Sequence, residues 1–165
     1  GKIDFLINNA GIAIDKDFQD RNIEDWKKTF ETNLFGMFLT AKYVGANMMQ
    51  NKFGKIVNLS SSSGTYDFSP YAIDYNASKA AIVSLTKSLT IQFSPYINVN
   101  AVSPGWVDTD MNQGLEQDYL ADEMEKIALR RIARPDELAK AIVFLCSDDA
   151  SYINGTVLEV NGGYL

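Results

Sequence analysis

The sequence predicts an α/β fold built on a parallel, doubly wound sheet. Three observations carry this. Short apolar runs of strand length recur along the chain, longer stretches of helical periodicity separate them, and the strand ends fall at Asn, Ser or Pro-Gly turns.

The elements follow in order. Lys2 to Asn8 forms a short apolar run, Ile3-Asp4-Phe5-Leu6-Ile7, of the kind a buried parallel strand needs. Asn9-Ala10-Gly11 closes it in a turn. From about Ile23 to Gln50, apolar residues recur at helical spacing through Trp26, Phe30, Leu34, Met37, Phe38, Ala41 and Met48, which predicts one long helix. Gly54 and Lys55 lead into a second strand, Ile56-Val57-Asn58-Leu59, followed by the serine run Ser60–Ser63 and Gly64. A second long helix runs from Tyr75 to about Phe93. Ile97–Val102 is a third strand, closed by Pro104-Gly105, and residues 106–134 read as a polar surface loop carrying short helices. Pro135 suits the first position of a helix reaching about Ser147, with Asp136 and Glu137 in its first turn. Thr156–Val160 is the last strand, ended by Gly162-Gly163.

Composition bounds the chemistry. Apolar residues make up 46% of the 165 and charged residues 22%, ordinary globular usage that argues against disorder. A net charge of −6 argues against nucleic acid or an anionic membrane as the main partner. No apolar run approaches the ~20 residues that span a bilayer. The chain has no histidine, which excludes a Ser-His-Asp triad and an HExxH zinc site. Its one cysteine, Cys146, can form neither an intramolecular disulfide nor a multi-cysteine metal site, and its apolar helical setting suits a buried thiol. Glycosylation sequons at Asn58, Asn76 and Asn154 read as chance matches in a protein expected in the cytoplasm. Catalysis must then rest on Tyr, Lys, Ser, Asn or carboxylates, without a metal.

Tyr75 and Lys79 are four residues apart on a predicted helix, with ~6 Å of rise and ~40° of rotation between them, so both side chains point the same way. An ammonium ~4 Å from a phenolate is worth up to ~4 kcal/mol at an effective dielectric of about 20, or about three pKa units. A tyrosine beginning near pKa ~10 is thereby drawn toward neutrality and can act as general acid or base. Taken alone, a Tyr-x-x-x-Lys pair is a weak signal that surface pairs produce by chance. The serine loop strengthens it: it follows a strand and lies shortly before Tyr75, where a hydroxyl could hold a substrate oxygen. Most of those serines would equally fill turn positions.

With these motifs the chain resembles the short-chain dehydrogenase/reductase family. The signatures are Asn8-Asn9-Ala10-Gly11, Asn33 within Thr32-Asn33-Leu34, the serine loop, Tyr75-Asn76-Ala77-Ser78-Lys79, Pro104-Gly105 and Leu158-Glu159-Val160-Asn161-Gly162-Gly163. They run through the whole chain in the family's order. The resemblance implies a Rossmann-type fold and hydride transfer between NAD or NADP and a small carbonyl or alcohol substrate. It implies that Tyr75 protonates the substrate oxygen and that Lys79 lowers its pKa and bonds the nicotinamide ribose. Asn33 would hold a water relaying protons to Lys79, although a mid-helix Asn can also be an ordinary polar residue. Asn9, Ala10 and Gly11 would pack beside the cofactor, with Pro104, Gly105 and the backbone at Val107 meeting the nicotinamide.

Two counts locate the serine differently. Counting from Gly54 through the strand gives Ser61, whereas counting back from Tyr75 by the family's commonest spacing gives Ser62. Strand register is preferred, because slipping it turns every strand side chain to the opposite face, so Ser61 is expected.

The family's glycine-rich phosphate loop, Thr-Gly-x-x-x-Gly-x-Gly, is absent. The resemblance therefore implies that residues 1–165 are the C-terminal two-thirds of a single NAD(P)-binding domain, with about three strand–helix units preceding Gly1. The tail from Arg134-Pro135-Asp136-Glu137-Leu138 to Gly163 resembles 3-oxoacyl-carrier-protein reductases and related sugar or polyol dehydrogenases. Lys52 and Lys55 could meet an acidic carrier protein or be plain solvated lysines. Family members commonly form homotetramers through the two long helices and the C-terminal helix and strand, which this chain is expected to share. The rivals are a catalytically silent scaffold and an inactive fragment. The first would be favoured by loss of Tyr75, Lys79 or the serine, all of which are present.

Overall fold

A computed structural model describes residues 1–112 and 115–164; Gln113 and Gly114 of the expected surface loop, and Leu165, lie outside the described residues. Four strands, β1 (Phe5–Asn8), β2 (Gly54–Leu59), β3 (Ile97–Pro104) and β4 (Val157–Val160), form one parallel sheet in the order β1-β2-β3-β4. Parallel neighbours require crossovers, and helices supply them. α1 (Ile23–Phe30) and α2 (Gly36–Asn51) link β1 to β2, and α3 (Ile73–Phe93) links β2 to β3. α4 (Gln117–Lys126) and α5 (Pro135–Cys146) link β3 to β4.

The alternation of side chains along a strand gives the sheet two apolar faces. Ile56, Ile97 and Val99 point to one face, where Met48 and Val44 of α2 and Leu89 and Phe93 of α3 cover them. Val57, Leu59 and Val102 point to the other, against Leu138, Ile142 and Leu145 of α5. β2 is buried at every position, Lys55 included, so Lys55 is neither the solvated lysine nor the carrier-protein contact expected from the sequence. β1 is an edge of the described sheet, and its Phe5 and Ile7 are 51% and 40% exposed.

Three boundaries differ from the sequence reading. The first strand begins at Phe5, since Ile3 N–H donates to Asn47 Oδ1 on α2 rather than to a neighbouring strand. α3 starts at Ile73, two residues before Tyr75. The long helix expected over 23–50 is interrupted by a π-helical turn at Glu31–Phe35, which separates α1 from α2. Such turns widen a helix by one residue and re-aim the side chains within them. Here the re-aimed side chain is Asn33, fully buried. By contrast Pro135 opens α5 as expected, and Glu137 accepts from the Arg134 N–H at 2.9 Å.

A polar ladder, buried except at the exposed Thr40, ties the sheet to its helices. Thr40 Oγ1 on α2 donates to Asn8 Oδ1 at 2.6 Å, Asn8 Nδ2 to Asn58 Oδ1 at 2.8 Å, and Asn58 Nδ2 to Thr86 Oγ1 of α3 at 3.0 Å. Each group would be costly to bury alone, so the ladder selects one register of β1, β2 and α3 together. Asn58→Ala leaves Asn8 Nδ2 without its acceptor, at ~1–3 kcal/mol, while the Thr86 hydroxyl keeps its bond to the Ile82 carbonyl. Urea unfolding should therefore show a loss of about 1–3 kcal/mol without a change in the fold's far-ultraviolet signature.

Candidate active site

The residues with chemical potential gather where the parallel strands end. In doubly wound sheets this is where a crevice opens, since the loops leaving the carboxyl ends diverge to opposite faces. A cleft of about 1050 Å³ lies there. It is lined by Asn9, Ala10 and Gly11 after β1, Ser61 after β2, Tyr75 and Lys79 of α3, and Pro104, Gly105 and Val107 at the end of β3.

α3 is docked against the end of β2 through its own backbone and Lys79. Lys79 Nζ donates to the Leu59 carbonyl at 2.8 Å, and Ser60 Oγ donates to the Lys79 carbonyl at 2.9 Å. Gly64 fits into this junction because it has no side chain. A Cβ at Gly64 would lie 2.5 Å from the Lys79 carbonyl carbon and 2.8 Å from Ala80 N, both unyielding backbone. The serine run thus bends back over α3. Ser61 accepts from the Ser63 N–H at 3.1 Å, and its own hydroxyl donates to the Tyr75 phenol. Ser62 is used elsewhere: its hydroxyl hydrogen-bonds the Asp67 carboxylate, and its carbonyl accepts from Thr65 N, Tyr66 N and Asp67 N. The structure brings Ser61 to Tyr75 and turns Ser62 into the 3-10 turn Ser62–Gly64.

The electrostatics differ from the sequence expectation. Burial pushes the Tyr75 phenol above its ordinary range, and the Ser61 hydrogen bond opposes that shift. The Lys79 ammonium lies over the Tyr75 ring, 5.4 Å from its centroid, and burial draws Lys79 itself down to about 8. Desolvation outweighs attraction, so the protein environment favours the neutral form of both groups.

Over this constellation, the family model described as Enoyl-(Acyl carrier protein) reductase matches residues 1–165. The chain belongs to the short-chain dehydrogenase/reductase family. It is 40% identical over 162 residues to the 3-oxoacyl-[acyl-carrier-protein] reductase FabG of Aquifex aeolicus, covering 98% of this chain and 65% of that protein. It is 41% identical over 165 residues to an NAD-dependent glycerol dehydrogenase of Listeria innocua, covering 99% and 65%. Among solved structures, a gluconate 5-dehydrogenase of Burkholderia cenocepacia, in complex with NADP and tartrate, superposes with a TM-score of 0.95 at 32% identity, covering 99% of this chain and 65% of that one. The chain thus spans just under two thirds of the length of these short-chain dehydrogenases/reductases.

Of the family positions, only Asn33 stands back from the cleft wall. Its Oδ1 accepts from Ile12 N–H at 2.8 Å, and its Nδ2 donates to the Ile12 carbonyl at 2.9 Å and to Ser78 Oγ at 3.0 Å. The side chain pairs with Ile12 as a neighbouring strand would, and so fixes the turn Asn9-Ala10-Gly11 beside Lys79. Sequence reasoning missed two further buried residues, Arg21 and Asp74, whose side chains pair at 2.5 Å. An acid in the first turn of a helix was a visible hint for Asp74, but no local pattern points to a partner 53 positions away.

The burial of Lys79 has a measurable consequence. In the folded protein Lys79 releases its proton near pH 8, whereas an unperturbed lysine does so near 10.5. Between these values the unfolded chain binds the extra proton, so stability rises with pH across that window. The cost of the buried ammonium is fully present below pH 8 and absent above 10.5, and amounts to roughly 3 kcal/mol. Lys79→Met should therefore be the more stable protein at pH 7 in denaturant melts, with the advantage fading as the pH approaches 10.5.

Proposed function

We propose that the protein containing this chain is an oxidoreductase that moves a hydride between NAD or NADP and a small carbonyl or alcohol, with Tyr75 as general acid and base. The observation that carries the reading is the contact of Ser61, Tyr75 and Lys79 in one cleft at the strand ends, in a chain of this family.

The residues present fit a nicotinamide cofactor. Lys79 donates one of its three hydrogens to Leu59, which leaves donors for a ribose hydroxyl. Asn33 fixes the turn at Asn9-Ala10-Gly11, and Gly11, with no side chain, leaves the approach to Lys79 Nζ open. Pro104, Gly105 and Val107 form the opposite wall for the nicotinamide ring. The bound cofactor supplies or accepts the hydride. Ser61 holds the substrate oxygen beside the Tyr75 hydroxyl, which passes its proton to that oxygen as reduction proceeds. With the Tyr75 pKa pushed up, the phenol is a proton donor at neutral pH, and its hydrogen bond from Ser61 stabilises the phenolate left behind. Lys79 carries the charge that steadies this phenolate once the cleft is filled. Asn33 serves the proton path by keeping the Ile12 segment and Ser78 in place around Lys79.

On this reading residues 1–165 form the catalytic part of one NAD(P)-binding domain, and the protein works in the cytoplasm, where these cofactors circulate. The substrates named for its relatives, a 3-oxoacyl thioester on a carrier protein, glycerol and gluconate, define the panel to test. In the complete native polypeptide containing this chain, Tyr75→Phe should abolish nearly all reduction of the accepted substrate while leaving cofactor affinity almost unchanged. Lys79→Met should weaken both, and Ser61→Ala should cost more turnover than Ser62→Ala. Steady-state kinetics with fluorescence titration of the reduced cofactor reads all four. Turnover of Tyr75→Phe within a few-fold of wild type would remove Tyr75 from the mechanism.

Self-association belongs to the same reading. Phe35, Phe38, Leu39 and Tyr43 stand exposed along α2 and the turn before it, as does Ile91 on α3, and Val143 and Phe144 on α5. An apolar surface of this extent suits the homotetramer expected from the family. Sedimentation at micromolar concentration should give a tetramer, and a lone monomer under those conditions would contradict it.

A further inference from the structure

Tyr75 stands in the first turn of α3, and that turn has no conventional cap. The residue before the helix is Ala72, which offers no side-chain hydrogen bond to the free N–H groups. A helix start of this kind frays unless something else holds it. Directly before Tyr75 lies Asp74, fully buried, with both carboxylate oxygens engaged. Arg21 Nη1 donates to Oδ1 at 2.5 Å and Thr29 Oγ1 to Oδ2 at 2.6 Å.

Arg21 is as unusual as its partner. It lies in the loop between β1 and α1, yet its side chain is 1% exposed. Its Nη2 reaches the carbonyls of Ile14 at 2.7 Å, Lys16 at 3.3 Å and Tyr71 at 2.5 Å. The Lys16 N–H also donates to the Tyr71 carbonyl at 2.9 Å. Arg21 therefore joins two loops that both line the cleft, one leaving β1 through Ala13 and Asp15 and one entering α3 through Tyr71 and Ala72. Buried charges are costly unless they are paired, and this pair lies where it fixes the residue preceding Tyr75.

We infer that Arg21 and Asp74 are positioning residues for Tyr75, an internal ion pair that anchors the uncapped first turn of α3 and holds the phenol against Ser61 while the two lips of the cleft stay in register. The inference rests on the oxidoreductase reading for its kinetic consequence, but its structural consequence stands alone.

The test uses the complete native polypeptide carrying Arg21→Met, Asp74→Asn, and both changes together. The paired variant leaves no buried charge alone and so remains folded if a single variant does not. Turnover is measured with a 3-oxoacyl thioester, dihydroxyacetone and 5-ketogluconate, cofactor affinity with NADH and NADPH, and backbone hydrogen exchange over residues 70–80 by mass spectrometry. Expected are a fall in kcat of ten-fold or more, a change in cofactor Kd of less than three-fold, and exchange in the first turn of α3 at least ten-fold faster while β2 and α5 are unchanged. In a Tyr75→Phe background the same changes should alter the residual rate less than two-fold, since they act through the phenol. Unchanged local exchange in the paired variant overturns the inference whatever the activity, as does a kcat within two-fold of wild type. A fall in kcat matched by an equal fall in cofactor affinity also overturns it. Activity retained by Tyr75→Phe alone overturns the catalytic reading beneath it, and leaves the exchange result to decide the role of the pair.

Discussion

The site depends on one junction, the docking of α3 onto the carboxyl end of β2. Lys79 reaches back to the Leu59 carbonyl, Ser60 reaches forward to the Lys79 carbonyl, and Gly64 lets the chain pass against the backbone of both Lys79 and Ala80. Two hydrogen bonds in opposite directions fix both distance and rotation, which one alone would not. Because Tyr75 lies one turn before Lys79 and Ser61 one residue after Ser60, their contact is a geometric consequence of this junction. The Ser61–Tyr75 contact is thus carried on elements whose relative placement is settled by bonds to backbone groups.

The same junction stores electrostatic cost. A buried lysine prefers to be neutral, and a buried tyrosine prefers to keep its proton. Among the described residues no carboxylate pairs with the ammonium; Lys79 has a carbonyl and an aromatic face instead. That arrangement weakens the resting fold, but it leaves the ammonium free to respond to charge arriving in the cleft. A carboxylate partner would have stabilised the resting state and blunted the response.

Much of this was legible in the sequence because it is periodic or local. The central strand β2 declared itself by its apolar run, α5 by Pro135 and the acids after it, and the Tyr75–Lys79 pair by its spacing. Strand register pointed to Ser61, and it is Ser61 that hydrogen-bonds the phenol, while Ser62 turns to Asp67. Three things were not legible. The π-turn left no mark, since its apolar residues still recur at spacings a helix would show. The direction of the Tyr75 shift was misjudged because spacing conveys the nearness of a charge but not the depth of its burial. Arg21 gave no signal, as a single arginine in a loop reads as solvated until its partner is seen.

The π-turn also explains how α1 and α3 find their alignment. Thr29 of α1 bonds Asp74 and Asn33 of the π-turn bonds Ser78, and the two contacts are four residues apart along each segment. Four residues is about one turn, so the contacts form successive rungs on facing surfaces. Apolar packing alone tolerates sliding by a fraction of a turn, because one methyl group fits nearly as well as another. Buried hydrogen bonds do not, since a slip leaves both partners desolvated and unpaired. Tyr75 lies immediately after the first rung and Lys79 immediately after the second. The widened turn is what brings Asn33 inward to make the second rung while it also holds Ile12. A regular helix through Glu31–Phe35 would place that side chain differently and would uncouple the turn beside Lys79 from the helix that carries it.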